Sequence, residues 1–133
     1  MNQRIISDNG NAAGFVYQTV LPDDLPPSIL RFFSAENESV VNAEMISRLI
    51  PNPNRMERMG RYNAVDGIAL GHTNVATDLW GSYNSENPAI IVAGGDTVYT
   101  EIHPAGGGGA TNLVRHWIVV EEIPEDDDRL KRA

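Results

Sequence analysis

The residues best suited to chemistry in this sequence are two histidines and a glutamate near its middle. Glu101 and His103 lie two residues apart, and this spacing places both on one face of a strand. Together with His72, which follows an earlier apolar segment, they form a candidate two-histidine, one-carboxylate metal site. The same spacing is common at strand ends, where polar residues gather. We therefore predict no metal and no other cofactor.

Other catalytic patterns are missing from the sequence. There is no cysteine, and no serine occupies the Gly-x-Ser-x-Gly turn that presents a nucleophile. The run Gly106–Gly109 lacks the lysine that a phosphate-binding loop requires, so a flexible loop is the simpler interpretation. His116 lies in an apolar segment, which is more typical of a hydrogen-bonded, partly buried histidine than of a metal ligand. We predict that the protein is not an enzyme.

Two groups of residues are candidates for an interface instead. Trp80 and Tyr83 lie in a segment rich in glycine, serine and asparagine, where flat rings can contact a sugar or a protein. Trp117 lies in an apolar segment and is expected in the core.

The second group is a local basic patch on an acidic chain, and arginine suits pairing with carboxylates of another subunit. A solvated turn with scattered charge explains this group equally well. Its members are Arg48, Arg55, Arg58 and Arg61.

Short segments rich in β-branched and aromatic residues must position these candidates. Ala89–Ala93 and Thr97–Ile102 are predicted to pair as a hairpin, because Gly94 and Gly95 between them can adopt the positive φ of a tight turn. The other predicted strands are Phe15–Val20, Val65–Leu70 and Leu113–Ile123.

Two segments favour helix. Within Ser39–Ile50, the residues Val41, Met45 and Leu49 recur every four positions, and two prolines follow the segment. The same segment is compatible with two short strands. Asn74–Trp80 is predicted to form a single helical turn. These patterns predict a mainly β domain, a small barrel or sandwich with one short helix and extended termini.

Length and charge narrow the class of protein. The chain has 133 residues, which fits a single domain, and its formal net charge of −8 argues against a nucleic-acid partner. No apolar run is long enough to span a bilayer, so we predict no membrane partner.

Nine of the ten basic residues are arginine. Such a composition suits either a halophilic source, in which salt screens a dense acidic surface, or a GC-rich genome.

Three stretches resemble the head-decoration proteins of tailed viruses. They are Val65–Leu70, with its valine–x–glycine–isoleucine–alanine pattern, then Ala89–Val92, then Gly95–Tyr99. The resemblance covers about a third of the chain. It implies a small β-barrel or β-tulip domain, with Gly67 at a tight strand position and Gly94-Gly95 in the hairpin turn. It also implies that residues 1–27 form an extended arm that grips the capsid. From composition alone, residues 124–133 have nothing to bury and are predicted to form a loose acidic tail.

The function implied by the resemblance is structural. Such proteins bind the outside of a capsid in several symmetric copies, commonly trimers, and stabilise or decorate it. The expected partners are therefore the major capsid protein and further copies of this chain. The expected location is the virion surface, after synthesis in the host cytoplasm. A neck, turret or other accessory virion protein remains open, and the alternative function is a β-sandwich module that binds a glycan or peptide through Trp80 and Tyr83.

Overall fold

The computed structural model describes residues 3–12, 15–37, 43–52, 68–76, 78–82, 90–104, 113–124 and 126. Across these residues the chain is built of β-strands and their connections, without an α-helix. Numbered in chain order, the strands of this described part are β1 (Gln3–Asn11), β2 (Val16–Val20), β3 (Ser28–Asn37), β4 (Ala43–Ile50), β5 (Ile68–Ala76), β6 (Asp78–Ser82), β7 (Ile91–Val92), β8 (Thr97–Pro104) and β9 (Leu113–Glu122).

The strands form two antiparallel sheets with a nested order. β1 pairs with β9, β2 with β8, β3 with β6 and β4 with β5. The later strands therefore pair with the earlier strands in reverse order. Two further pairings, β9 with β3 and β8 with β4, complete a first sheet of order β1-β9-β3-β6 and a second sheet of order β2-β8-β4-β5. This is the strand order of a double-sheet jelly roll. The short strand β7 is an addition that pairs with β3.

Alternating burial along the strands places the core between the two sheets. In β9 every second residue is buried, and the residues between them are half-buried or exposed. Fully burying one such aliphatic or aromatic side chain contributes about 1.5–3 kcal/mol to folding. The core includes Phe33, Met45, Leu49, Val92, Val98, Ile102, Val114 and Ile118.

The fold class predicted from the sequence is confirmed, but its helix is wrong. Ala43–Ile50 is strand β4, in which Met45, Ser47 and Leu49 are buried and the residues between them are half-buried. A four-residue recurrence of apolar side chains is a multiple of the strand period as well as close to the helix period, and pairing on both sides of β4 decides the outcome. The helical turn predicted for Asn74–Trp80 is also wrong, because this segment contributes to β5 and β6.

The predicted hairpin around Gly94-Gly95 is wrong in its pairing and right in its turn. Gly95 has a φ of 84°, and the N–H of Asp96 donates to the carbonyl of Ala93. The strands on either side nevertheless enter different sheets, since β7 pairs with β3 and β8 pairs with β2 and β4. The turn therefore carries the chain from one sheet to the other.

The predicted N-terminal arm is largely part of the sheets. β1 lies at the edge of the first sheet and β2 at the edge of the second. The sequence Asp8–Asn11, which has the composition of a turn, continues β1 instead. Gly10 suits this strand because a Cβ there would lie 2.9 Å from Cε1 of Tyr17. After β2, Leu21 and Leu25 are buried in the core, so this proline-rich connection is anchored.

Two further expectations concern the ends of the chain and membranes. Most of the predicted acidic tail, 125 and 127–133, lies outside the described residues, as do Gly67 and the run Gly106–Gly109. In the part of the chain that the structure describes, no helix has the length and hydrophobicity to span a bilayer.

Candidate interaction surface

The outer face of the first sheet carries apolar side chains in register. Cross-strand partners of antiparallel strands share a face, so the pairs define rows across the sheet. One row runs from Ile5 through Val119 to Phe32. Ile5 is 64% exposed, and the other two side chains are half-buried. This row therefore gives the outer face an apolar strip.

The adjacent row contains an exposed tryptophan. Ser7 pairs with Trp117, and Trp117 pairs with Ser34. Trp117 is 37% exposed, so its predicted place in the core is wrong. Its strand is apolar on both faces, and composition alone does not reveal which face is covered. The guanidinium of Arg115 lies 5.6 Å from the ring centroid of Trp117, which is within cation–π range.

The second tryptophan occupies the same row. Trp80 on β6 is the register partner of Ser34, so the row reads Ser7, Trp117, Ser34, Trp80. Sequence analysis singled out Trp80 and Tyr83 together. The structure instead aligns Trp80 with Trp117, two strands away, and Tyr83 lies outside the described residues.

The large exposed hydrophobic residues of the described part of the chain are found on both sheets. They are Ile5, Phe15, Val20, Leu113 and Trp117. Ile5, Leu113 and Trp117 share the outer face of the first sheet, whereas Val20 lies on the outer face of the second, next to the buried Thr19. Single exposed hydrophobics are ordinary, so the group that shares the first sheet's face is the candidate interaction surface.

The candidate metal ligands share one face of the second sheet, where they take part in two histidine–carboxylate contacts. His72 lies 3.0 Å from Glu44, measured from Nε2 to Oε2, and His103 lies 3.7 Å from Glu101. Among the described residues, no group of three or more histidines and carboxylates is arranged to hold a metal ion. These side chains form two exposed or half-exposed histidine–carboxylate contacts on the second sheet.

Only one residue of the arginine patch falls within the described residues. Arg48 on β4 lies 3.6 Å from Glu101 on β8, and both side chains are partly exposed. Arg55, Arg58 and Arg61 lie outside the described residues. The patch as a whole therefore stays a prediction.

A buried polar network joins the two sheets. His116 on β9 is completely buried, where the sequence suggested only partial burial, and it is hydrogen-bonded through both ring nitrogens, as expected. Nδ1 lies 2.9 Å from the hydroxyl of Thr19, and Nε2 lies 2.7 Å from the hydroxyl of Thr100. The Thr100 hydroxyl in turn lies 2.8 Å from that of Ser47. Because a hydroxyl can donate or accept, a neutral imidazole is satisfied here in either tautomer.

The surroundings of His116 oppose its protonation. Burial lowers the pKa of His116 to about 4, against a smaller opposite effect of Asp8. The ring of Tyr17 meets the imidazole edge-on, with centroids 4.9 Å apart. Burial, reinforced by Asp8, raises the pKa of Tyr17 to about 12. A neutral histidine in a closed core is a structural element and is poorly placed to act on an external molecule.

Sequence reasoning missed the hydroxyls of this network and the exposed face of the first sheet. The hydroxyl of Thr100 could have been found from the sequence, since Thr100 lies between Val98 and Ile102 on the same strand face. A polar residue on a buried face requires a polar neighbour. The exposure of Trp117 depends on which strands flank β9, and the sequence alone does not give that pairing.

Comparisons with known proteins do not assign a family to the chain. No protein-family model matches it, and no curated protein matches it.

Proposed function

We propose that this chain is a non-enzymatic structural protein of a virion, which binds the outside of a capsid in several symmetric copies and stabilises or decorates it. The observation that carries the proposal is the exposed apolar strip on the outer face of the first sheet, around Ile5 and Trp117. A rigid β surface of this kind binds another protein with little loss of conformational entropy.

The fold is compatible with this function. Jelly rolls occur in viral capsid proteins and also in lectins, and a fold by itself does not imply a function. The partner that we propose is the major capsid protein, with further copies of the chain on the same particle. Modest contacts repeated by symmetry can hold such a protein firmly through avidity.

The acidic composition constrains how the contact forms. A formal net charge of −8 repels other acidic surfaces at low salt. An apolar strip avoids this repulsion, because burial of apolar surface persists when salt screens charge. Binding through the strip is therefore suited to a halophilic host.

The test is co-sedimentation with undecorated capsids of the virus or provirus that encodes the chain, at the salt concentration of its host. We expect the protein to pellet with capsids and Trp117→Ser to remain largely in the supernatant. The matched control is Tyr99→Ser, which removes a half-buried aromatic ring from the second sheet and should leave binding intact. Wild-type protein that stays in solution while the capsids sediment would contradict the proposal.

One observation favours a second candidate function, glycan binding. The row Ser7, Trp117, Ser34, Trp80 aligns two tryptophan positions on one sheet face, with the exposed Trp117 beside the exposed Ser7, and sugars stack on exposed aromatic rings next to hydrogen-bonding groups. A glycan array separates the two functions. Specific glycan binding that is lost in Trp117→Ser, together with no capsid binding, would favour this candidate.

A further inference from the structure

We propose that β1, an edge strand among the described residues, pairs with β1 of a second copy of this chain, in an antiparallel arrangement centred on Ile6, so that the first sheets of two protomers join across a two-fold axis. The inference concerns self-association and does not depend on the capsid proposal. It rests on the edge position of β1, on the direction of its main-chain groups and on the placement of its charges.

In the part of the chain that the structure describes, β1 lies at the edge of its sheet and has the features of a pairing strand. Among the described residues, β9 is the one strand that pairs with it, and β1 continues for nine residues without a register shift. Natural edge strands are usually protected by charged side chains, especially lysine, by proline, by a bulge or by short length, and the two charges of β1, on Arg4 and Asp8, are opposite in sign. β1 contains neither lysine nor proline.

The direction of the main-chain groups follows from one hydrogen bond. The N–H of Asn9 donates to Oδ1 of the preceding Asp8, at 2.9 Å, so it points away from β9. Main-chain groups in an antiparallel pair alternate between the partner and the opposite side. Ile5 and Ser7 therefore also present their N–H and C=O groups on the side of β1 that points away from β9.

Charge placement selects one register for self-pairing. Arg4 and Asp8 are the two charged residues of β1. If Ile6 faces Ile6 of the second copy, Arg4 of each protomer faces Asp8 of the other. In the same register Ile5 faces Ser7, and these are residues whose main-chain groups point outward. Charge complementarity and hydrogen-bonding direction thus agree on one alignment.

The Asp8 carboxylate already accepts a hydrogen bond from the Asn9 N–H and lies 3.5 Å from the hydroxyl of Thr19, so pairing with Arg4 of the second copy adds to these contacts. The contacts of Arg4 and Ile6 are compatible with this alignment. Arg4 makes a long ion pair with Asp24, 3.5 Å between Nη1 and Oδ1, and both side chains are well exposed. Ile6 already packs partly against the core, so pairing adds a second apolar contact to it. Ile5, at 64% exposure, would lie beside Ser7 of the second copy, in the row that contains the second copy's Trp117. The arrangement is isologous and closes at two protomers.

The test uses charge variants of the full chain and sedimentation velocity at moderate salt. We expect the wild type to dimerise. Arg4→Asp and Asp8→Arg should each weaken dimerisation at least about tenfold, because each places like charges opposite each other twice. An equimolar mixture of these two variants should form a heterodimer, since an arginine then faces an aspartate in both of the pairs between positions 4 and 8. Asp24→Asn is the control and should dimerise like the wild type.

A second variant covers the case in which a charge variant does not fold. Ser7→Pro removes an N–H that points away from β9, so the internal ladder is retained and dimerisation should be lost, with circular dichroism unchanged. A wild type that remains monomeric to high micromolar concentration would overturn the proposal. So would a dimer that persists in Ser7→Pro and Arg4→Asp, or folded charge variants that remain monomeric when mixed.

Discussion

The hydroxyl of Thr100 lies 2.7 Å from Nε2 of His116, and this contact joins the two sheets through the middle of the core. Thr100 belongs to β8 of the second sheet and His116 to β9 of the first. The core around them is otherwise dominated by apolar side chains. A buried polar contact of this kind costs little while every member is satisfied and much when one is removed.

The first prediction is a loss of stability in acid that depends on His116. Its pKa is about 4 in the folded protein and about 6.5 in the unfolded chain, so between these values only the unfolded chain binds the proton. The free energy of unfolding should therefore fall by about 3 kcal/mol as pH decreases through this window, and the contribution is fully present above it. Urea unfolding at a series of pH values measures this. His116→Gln should show a shallower pH dependence between about pH 6.5 and 4, and parallel profiles would contradict the assignment.

The second prediction concerns the hydroxyl of Thr100. Thr100→Val keeps the shape of the side chain but leaves Nε2 of His116 and the hydroxyl of Ser47 without this neighbour. We expect the free energy of unfolding to fall by about 1–3 kcal/mol. Thr97→Val on the same strand is the control, because Thr97 is only half-buried and should tolerate the change. Equal effects of the two substitutions in thermal unfolding would argue against the network.

The third prediction compares two glycines that are crowded by different atoms. A Cβ at Gly94 would lie 2.7 Å from the carbonyl oxygens of Pro22 and Asp23, whereas a Cβ at Gly10 would meet the ring of Tyr17 at 2.9 Å. Backbone atoms give way less readily than a side chain. Gly94→Ala should therefore lower the free energy of unfolding by more than Gly10→Ala, each by about 1–3 kcal/mol. The reverse order in urea unfolding would show that the turn adjusts more easily than the ring.

The fourth prediction concerns the carboxylate of Asp96, which is completely buried. Its two oxygens accept hydrogen bonds from the main-chain N–H groups of Asn52, at 2.8 Å, and Ala93, at 3.0 Å. Asp96→Asn replaces one acceptor with an amide donor that faces another donor. We expect a loss of about 1–3 kcal/mol in unfolding free energy. Asp23→Asn, in an exposed turn, should leave the free energy of unfolding unchanged. An equally unchanged value for Asp96→Asn would contradict the role of the second oxygen.

The parts of the fold that sequence reasoning predicted correctly are those set by local chemistry. The β-branched run in Leu113–Glu122 gave a strand, the glycine at 95 gave a turn, and the buried His116 was expected to be hydrogen-bonded. Strand pairing was not predictable in the same way. The jelly-roll order joins β1 to β9 across most of the chain, and neither segment carries a local signal of that pairing. The core position predicted for Trp117 was wrong for the same reason, because the exposure of Trp117 depends on that pairing.

The last prediction separates an exposed Trp117 from a core one. Trp117 is 37% exposed and Phe33 is fully buried, although both are aromatic residues of the first sheet. Phe33→Ala should lower the free energy of unfolding by about 3–5 kcal/mol, since it leaves a cavity in the core. Trp117→Ala removes contacts that are partly open to water, so we expect a loss of about 1 kcal/mol. Urea unfolding of both variants measures the difference. A loss in Trp117→Ala as large as that in Phe33→Ala would mean that the tryptophan is needed mainly for folding, and the outer face of the first sheet would lose its main candidate for binding.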